Sequence, residues 1–169
     1  DAAIKLILAH LGLTEQTFLI RVDSELPAGM GLGSSAAIAV AVTRALGNLN
    51  SLGLTDEQIN AVALECEKLA HGAPSGVDNA ISTFSQPMLF RNDGALHLQR
   101  LALSATPPLL IANSGRAGLT REQVAGVRAR FERAPARYNT LFDEIDSLSV
   151  TGAKLLQAQD YSELGLLMN

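Results

Sequence analysis

The sequence predicts an α+β fold. Helix-like and strand-like segments are mixed along its 169 residues, and they lack the regular strand-helix alternation of a doubly wound parallel sheet. Aromatic residues make up 4% of the chain and Trp is absent, so the core is expected to consist of Leu, Ile, Val and Ala. No internal repeat or low-complexity segment interrupts this composition, which is that of an ordinary globular protein.

The sequence of residues 2–46 predicts two helices separated by a strand and a loop. Apolar residues are dense over residues 2–11, which favours a mostly buried helix. Residues 17–24 are rich in β-formers and alternate toward their end, so a strand is predicted there. A glycine-rich loop over residues 27–33 then leads into an apolar helix over residues 34–46.

Capping and turn signals predict the next elements. Thr55 is the predicted N-cap of a helix that extends to about residue 69. A short helix is predicted near residues 77–83. The apolar stretches over 88–90 and 96–98, separated by an Asn-Asp-Gly turn, predict a β-hairpin.

The remaining third is predicted to be mainly helical. Residues 109–112 form a short apolar run that predicts a buried strand, and residues 120–133 predict a helix. The rest is helical, with a break near Gln159 and Asp160. Two consecutive prolines end the segment 101–108, which is therefore the predicted domain boundary.

Charge and composition exclude several function classes. A net charge of −4 and a pI near 5.3 argue against a nucleic-acid surface. No apolar stretch approaches the roughly 20 residues that span a membrane, and the N-terminus has no signal-peptide pattern. The single Cys66 excludes an intrachain disulfide, so we expect a cytoplasmic protein. Because the chain lacks an initiating Met and both ends have a helical pattern, we expect it to be part of a longer protein.

The most informative stretch is the glycine-rich loop before the second helix. Gly29, Gly31 and Gly33 alternate with other residues and precede Ser34 and Ser35. A helix N-terminus presents unpaired N–H groups and the positive end of the helix dipole, so this loop suits a polyphosphate. The loop is neither a Walker A motif, since no Lys precedes the serines, nor G-x-G-x-x-G. The alternative interpretation is a glycine-rich turn with a Ser N-cap.

A second group of polar residues lies between the third and fourth predicted helices. Glu67 is late on one helix and Asp78 is in the first turn of the next, where the dipole favours a carboxylate. From the residues alone, Glu67 could equally be a solvated helix residue. Ser75 and Asp78 also have the spacing of a capping box, and His71 fits a turn histidine.

Three motifs in order resemble one enzyme family. The string P-x-G-x-G-L-G-S-S-A-A over 27–37 resembles the phosphate loop of the GHMP kinase superfamily. The string E-x-x-x-H-G-x-P-S-G-x-D-N over 67–79 resembles the pattern of the mevalonate kinases within it. The resemblance continues through 113–115 and 120–127, and so covers nearly the whole chain.

The resemblance implies a GHMP kinase fold, with part of the N-terminal nucleotide-binding domain over 1–104 and the start of the C-terminal α+β domain over 105–169. It implies ATP- and Mg²⁺-dependent phosphorylation of mevalonate to 5-phosphomevalonate in isoprenoid synthesis. It is compatible with a homodimer. Alternatives are another GHMP kinase, acting on phosphomevalonate, homoserine or a sugar, and a non-catalytic ligand-binding regulator.

The resemblance also implies residue roles. Asp78 is the implied catalytic carboxylate facing the substrate hydroxyl, and Glu67 and Ser35 are the implied Mg²⁺ ligands, with Ser34 an open alternative to Ser35. The implied nucleotide-binding residues are Pro27, Gly29, Gly31, Leu32, Gly33, Ser34, Ser35 and Ala36. The implied substrate-side residues are His71, Ser75, Gly76 and Thr120. Two further family motifs, K-x-x-L-x-G-E-H and G-A-G-G-G-G, do not occur in this sequence, so we expect little or no kinase activity from the isolated chain.

Overall fold

The computed structural model describes residues 2–25, 31–92, 96–112 and 120–169. The chain divides into two compact units, the first ending at Ser85 and the second beginning at Gln86. Each unit is described by itself. The predicted domain limits, 1–104 and 105–169, stay a prediction.

The first unit is helical within the described residues. Its helices are α1 (Ala2–His10), α2 (Ser34–Leu49), α3 (Asp56–His71) and α4 (Val77–Phe84), which confirms the four helices predicted here. They enclose a core of aliphatic side chains, without aromatic residues among its fully buried members: Ile7, Leu13, Val40, Val42, Leu46, Ile59 and Val62. Small residues on α2, including Ala36 and Ala39, are buried where the neighbouring helices approach.

Local hydrogen bonds determine where α3 begins. The Thr55 hydroxyl accepts a hydrogen bond from the Gln58 backbone N–H at 3.3 Å, and the Gln58 side chain accepts one from the Thr55 N–H at 2.8 Å. This reciprocal pair is a capping box, which satisfies two N–H groups of the first turn. The predicted N-cap at Thr55 is therefore confirmed.

Arg44 joins the three helices α2, α3 and α4. Its Nη2 donates to the Asp56 carboxylate at 2.6 Å and to the Thr83 backbone carbonyl at 2.6 Å. Asp56 is in the first turn of α3 and Thr83 is in the last turn of α4. A single guanidinium thus neutralises the carboxylate and supplies a donor to a carbonyl at a helix C-terminus, both favourable placements.

The predicted strand over residues 17–24 is wrong. These residues have no regular secondary structure, and none of the described residues pairs with them as a strand. Leu19 is 100% exposed and Val22 is 48% exposed. A β-strand needs a partner to accept and donate its backbone hydrogen bonds, and β-forming composition does not supply one. The segment instead borders an apolar groove of about 490 Å³ along α2.

The second unit contains a hairpin and three helices among its described residues. Strands β1 (Met88–Asn92) and β2 (Leu96–Arg100) are antiparallel, with Phe90 opposite Leu98. This confirms the predicted pairing, whose turn lies partly outside the described residues. The helices are α5 (Thr120–Arg133), α6 (Pro135–Ala158) and α7 (Tyr161–Leu167).

The predicted break in the C-terminal helical region is confirmed. Gln159 has φ of 60° and ends α6 in the left-handed conformation. The Asp160 side chain then accepts a hydrogen bond from the Glu163 N–H at 3.1 Å, which caps α7. Within the described parts of the chain, no helix combines the length and apolarity needed to cross a membrane.

The predicted buried strand over residues 109–112 is wrong. Leu109, Leu110 and Ile111 are 77%, 98% and 72% exposed, and no strand forms there. An apolar run predicts burial only if another element covers it, and within the second unit none of the described residues does so.

Candidate active site

The end of the glycine-rich loop leads directly into α2. Gly33 is the N-cap of α2, with φ of 68°, and no side chain caps this helix. Ser34 and Ser35 are the first two residues of the helix, so the interpretation of a serine N-cap is wrong. Because no side-chain cap hydrogen bond is made at this N-terminus, its backbone N–H groups and dipole remain suited to an anion. Pro27 and Gly29 lie outside the described residues.

Asp78 lies beside this helix N-terminus. A Cβ added to Gly33 would be 3.5 Å from the Asp78 Cγ and 3.6 Å from Oδ1. The folded first unit therefore brings the predicted catalytic carboxylate to the end of the predicted phosphate loop, although 45 positions separate them in the sequence. Gly33 needs no side chain here and adopts a left-handed φ that other residues disfavour.

The start of α4 leaves Asp78 out of the capping arrangement. Gly76 is the N-cap, with φ of 90° and no side-chain hydrogen bond. The Ser75 hydroxyl accepts a hydrogen bond from the Val77 N–H at 3.3 Å instead. The Ser75–Asp78 capping box that the spacing allowed is therefore not formed, and Asp78 is an exposed residue in the first turn.

Glu67 is a charged residue of the first unit whose side chain is buried. It is 4% exposed, and its Oε1 has no hydrogen-bond partner among the described residues. Its Oε2 is 3.7 Å from the His71 Nε2, one turn further along α3. The interpretation of Glu67 as a solvated helix residue is wrong. A buried carboxylate oxygen without a partner is unfavourable for folding, and it has the chemistry of a Mg²⁺ ligand.

The neighbouring Cys66 has a structural role. Its side chain is buried in the core and lies 4.0 Å from the Ala3 carbonyl oxygen. Burial raises the pKa of the Cys66 thiol, and the nearby Glu67 and Glu65 carboxylates raise it further. A thiol held in its neutral form is a poor nucleophile, which agrees with the place of Cys66 among the apolar side chains of the core.

The predicted substrate-side residues occupy the connection between α3 and α4. His71 ends α3 and is exposed, Ser75 is exposed, and Gly76 is buried at the start of α4. They lie in sequence between Glu67 and Asp78. Thr120 is the first residue of α5, but its side chain lies outside the described residues, as do residues 113–115.

A protein-only metal cluster is absent from the described residues, where no group of three or more His, Cys, Asp or Glu side chains converges. A cation such as Mg²⁺ takes one or two protein carboxylates and completes its shell with phosphate oxygens and water. Glu67, with its unpartnered oxygen, is the side chain that fits such a cation.

Sequence reasoning missed three residues that hold these helices together. Arg44 is the only charged residue of α2. A single charge in an otherwise uncharged helix could have indicated that Arg44 bonds to neighbouring helices. Asn79, 1% exposed, donates from Nδ2 to the Asn60 Oδ1 at 2.6 Å and so joins α4 to α3. Asn79 belongs to the recognised D-N string, but Asn60 carries no local signal because its partner is 19 positions away.

The sequence is similar to those of known proteins. A sequence profile described as "GHMP kinases N terminal domain" matches residues 1–86. A mevalonate kinase of Pyrococcus abyssi is 33% identical over 155 residues, covering 89% of this chain and 45% of the relative. A mevalonate kinase of Arabidopsis thaliana is 37% identical over 162 residues, covering 89% of this chain and 42% of the relative.

The fold is also found in a solved structure. A crystal structure of L. major mevalonate kinase in complex with R-mevalonate matches with a TM-score of 0.77 and 28% identity. The match covers 99% of this chain and 52% of that chain. The predicted fold class is therefore confirmed, and the chain spans about half the length of the curated relatives it matches.

Proposed function

The chain belongs to the GHMP kinase family, and on that premise we propose that its gene product transfers a phosphoryl group from ATP to the primary hydroxyl of mevalonate. The observation that carries the proposal is the approach of the Asp78 carboxylate to Gly33 at the N-terminus of α2. This proximity supports Asp78 as a proton acceptor beside a helix end suited to phosphate. The named activity of the relatives, and the R-mevalonate bound in one of them, support this substrate.

The phosphate chain of ATP is proposed to bind at the α2 N-terminus. Gly31, Leu32 and Gly33 lead into the helix, and Ser34, Ser35 and Ala36 form its first turn. Backbone N–H groups there, with the helix dipole, would hold and orient the transferring phosphate. Pro27 and Gly29 are proposed to complete the loop.

Asp78 is proposed to receive the proton of the attacking hydroxyl. Phosphoryl transfer depends mainly on positioning and on charge stabilisation, and a carboxylate beside the acceptor orients the hydroxyl for in-line attack. Its position in the first turn of α4, close to Gly33, is consistent with both tasks.

Glu67 is proposed to hold Mg²⁺ together with a hydroxyl of the α2 N-terminus, either Ser35 or Ser34. When bound, the cation would neutralise negative charge on the phosphates. The buried, unpartnered Oε1 of Glu67 supports this assignment. The connection between α3 and α4, with His71, Ser75 and Gly76, is proposed to contact the acceptor substrate, as is Thr120.

The proposal is tested by the substrate profile of the purified complete gene product. Turnover is measured by coupled ADP release with mevalonate, phosphomevalonate, homoserine and galactose, each at saturating Mg²⁺ and ATP. We expect the highest kcat/KM with mevalonate, and no release when either Mg²⁺ or the acceptor is omitted. A higher value with another acceptor would replace mevalonate by that substrate. Folded protein that turns over none of the four would favour a ligand-binding regulator.

A further inference from the structure

The residue next to Asp78 joins the two helices that carry the acidic side chains. Asn79 is on α4 and is 1% exposed, and its Nδ2 donates to the Asn60 Oδ1 on α3 at 2.6 Å. Asp78 is on the same helix as Asn79, and Glu67 is on the same helix as Asn60. This polar contact therefore connects the helix of one acidic residue to the helix of the other.

The contact leaves Asn79 only partly satisfied. Its Oδ1 is buried and has no hydrogen-bond partner among the described residues. Rotating the amide exchanges the oxygen and the nitrogen, but it still leaves one polar atom of Asn79 unpaired. An apolar side chain of the same shape would avoid this penalty. Stability alone therefore does not explain an asparagine at this position.

A directional bond at this position is able to fix how α4 is rotated about its axis. Successive residues of an α-helix differ by about 100° around its axis, so the direction of Asn79 determines the direction of Asp78. Apolar packing alone tolerates small rearrangements of a helix, whereas a hydrogen bond has preferred angles and distances. With Asn79 held toward α3, Asp78 is directed toward Gly33.

We propose that Asn79 and Asn60 are positioning residues, whose hydrogen bond sets the rotation of α4 and thereby aims the Asp78 carboxylate at the N-terminus of α2. This inference rests on the proposed function of Asp78. The opposite end of α4 is held separately, because the Thr83 carbonyl accepts a hydrogen bond from Arg44.

The test uses paired substitutions in the complete gene product. Asn60→Leu has a similar shape but removes the acceptor, whereas Asn60→Asp retains an oxygen at the same place. Thr43→Val is the matched control, because it removes a buried hydroxyl from α2 that donates within its own helix, to the Ala39 carbonyl at 2.8 Å. Turnover is measured with ATP and mevalonate, together with unfolding in urea.

We expect Asn60→Leu to lower kcat by about 10- to 100-fold, the range for a small misplacement of a reacting group, with the KM for ATP unchanged. Asn60→Asp should retain most of the wild-type kcat, and Thr43→Val all of it. Asn79→Leu should lower kcat like Asn60→Leu, without a loss of stability. Equal kcat in Asn60→Leu and Thr43→Val would overturn the proposal.

A second measurement does not depend on substrate. Amide hydrogen exchange over residues 76–80 should become faster in Asn60→Leu but not in Asn60→Asp. Unchanged exchange would overturn the proposal, and so would faster exchange with an unchanged kcat. If the wild-type protein phosphorylates nothing, the proposed function fails while exchange still decides whether the bond holds α4. Asn60→Ala serves for all measurements if Asn60→Leu does not fold.

Discussion

The helices α3 and α4 and the non-helical segment over residues 17–25 differ in which side chains they bury and which they expose. The helices bury polar side chains, with Glu67, Asn79 and Thr83 each at most 4% exposed. The segment over residues 17–25 instead exposes apolar side chains, and Leu19 is 100% exposed. Buried polar atoms without partners are unfavourable for folding, and two of these three residues, Glu67 and Asn79, are the ones for which a role is proposed above. Exposed apolar residues place no comparable demand on the described fold.

The largest expected effect is loss of turnover when Asp78 is replaced. Asp78→Ala removes the proposed proton acceptor, so kcat should fall by about 10²- to 10⁴-fold, the usual contribution of a general base. Stability should be unchanged, because Asp78 is exposed. Turnover is measured in the complete gene product. The control is Asp23→Ala, which removes an exposed carboxylate from the segment over residues 17–25. Unchanged turnover would remove Asp78 from the mechanism.

Glu67→Gln should separate function from stability. The substitution removes a buried charge with an unpartnered oxygen, so the free energy of unfolding should stay equal or rise by about 1 kcal/mol. The Mg²⁺ concentration for half-maximal turnover should rise by about 10- to 100-fold, as when a metal site loses an important group. Urea unfolding and Mg²⁺ titration measure the two effects. A large loss of stability with an unchanged Mg²⁺ requirement would assign Glu67 a structural role.

Arg44→Ala should destabilise the helical region by about 1–3 kcal/mol, because the Asp56 carboxylate and the Thr83 carbonyl both lose a charged donor. The Arg44 side chain is 36% exposed, so screening by solvent favours the lower part of this range. Urea unfolding of the purified chain measures the change. The control is Arg21→Ala in the segment over residues 17–25. The ion pair of Arg21 with Asp23 is highly exposed and should contribute nothing measurable to the free energy of unfolding. Equal losses of unfolding free energy in Arg44→Ala and Arg21→Ala would contradict this prediction.

The smallest effect is expected at Leu19. Leu19→Ser should change the free energy of unfolding of the chain by less than about 0.5 kcal/mol, as for most surface substitutions. The matched core variant, Ile7→Ala, should lose about 2–5 kcal/mol, because Ile7 is 1% exposed. Thermal or urea unfolding of both variants measures the contrast. A loss of unfolding free energy in Leu19→Ser similar to that in Ile7→Ala would show that the segment over residues 17–25 is covered in solution.

The same contrast explains which elements the sequence could predict. Helices depend on neighbours three and four residues away, so the apolar pattern and the Thr55 capping box were sufficient for α1 to α4. A strand depends on a distant partner, and the composition of residues 17–24 and 109–112 contains no information about one. The β-hairpin was predictable because a short turn brings its partners together.

The candidate site was predictable to the extent that motifs carried it. Resemblance identified Asp78 and the phosphate loop, but the burial of Glu67 and the absence of a serine cap on α2 came only from the fold. The bonds of Arg44 and of Asn60 with Asn79 join residues 12 to 39 positions apart. Contacts of this kind depend on how helices pack, and a single sequence does not encode them locally.

Gly33 has a consequence for mutational screens. Its backbone adopts a handedness that side-chain-bearing residues disfavour, and an added Cβ would also contact Asp78. A screen for loss of function would therefore score positions 33 and 78 alike, although the role proposed for Asp78 is proton transfer and Gly33 has no side chain that could take part in it. Intolerance to substitution at Gly33 follows from its left-handed backbone alone, so it does not by itself show that this position takes part in the reaction.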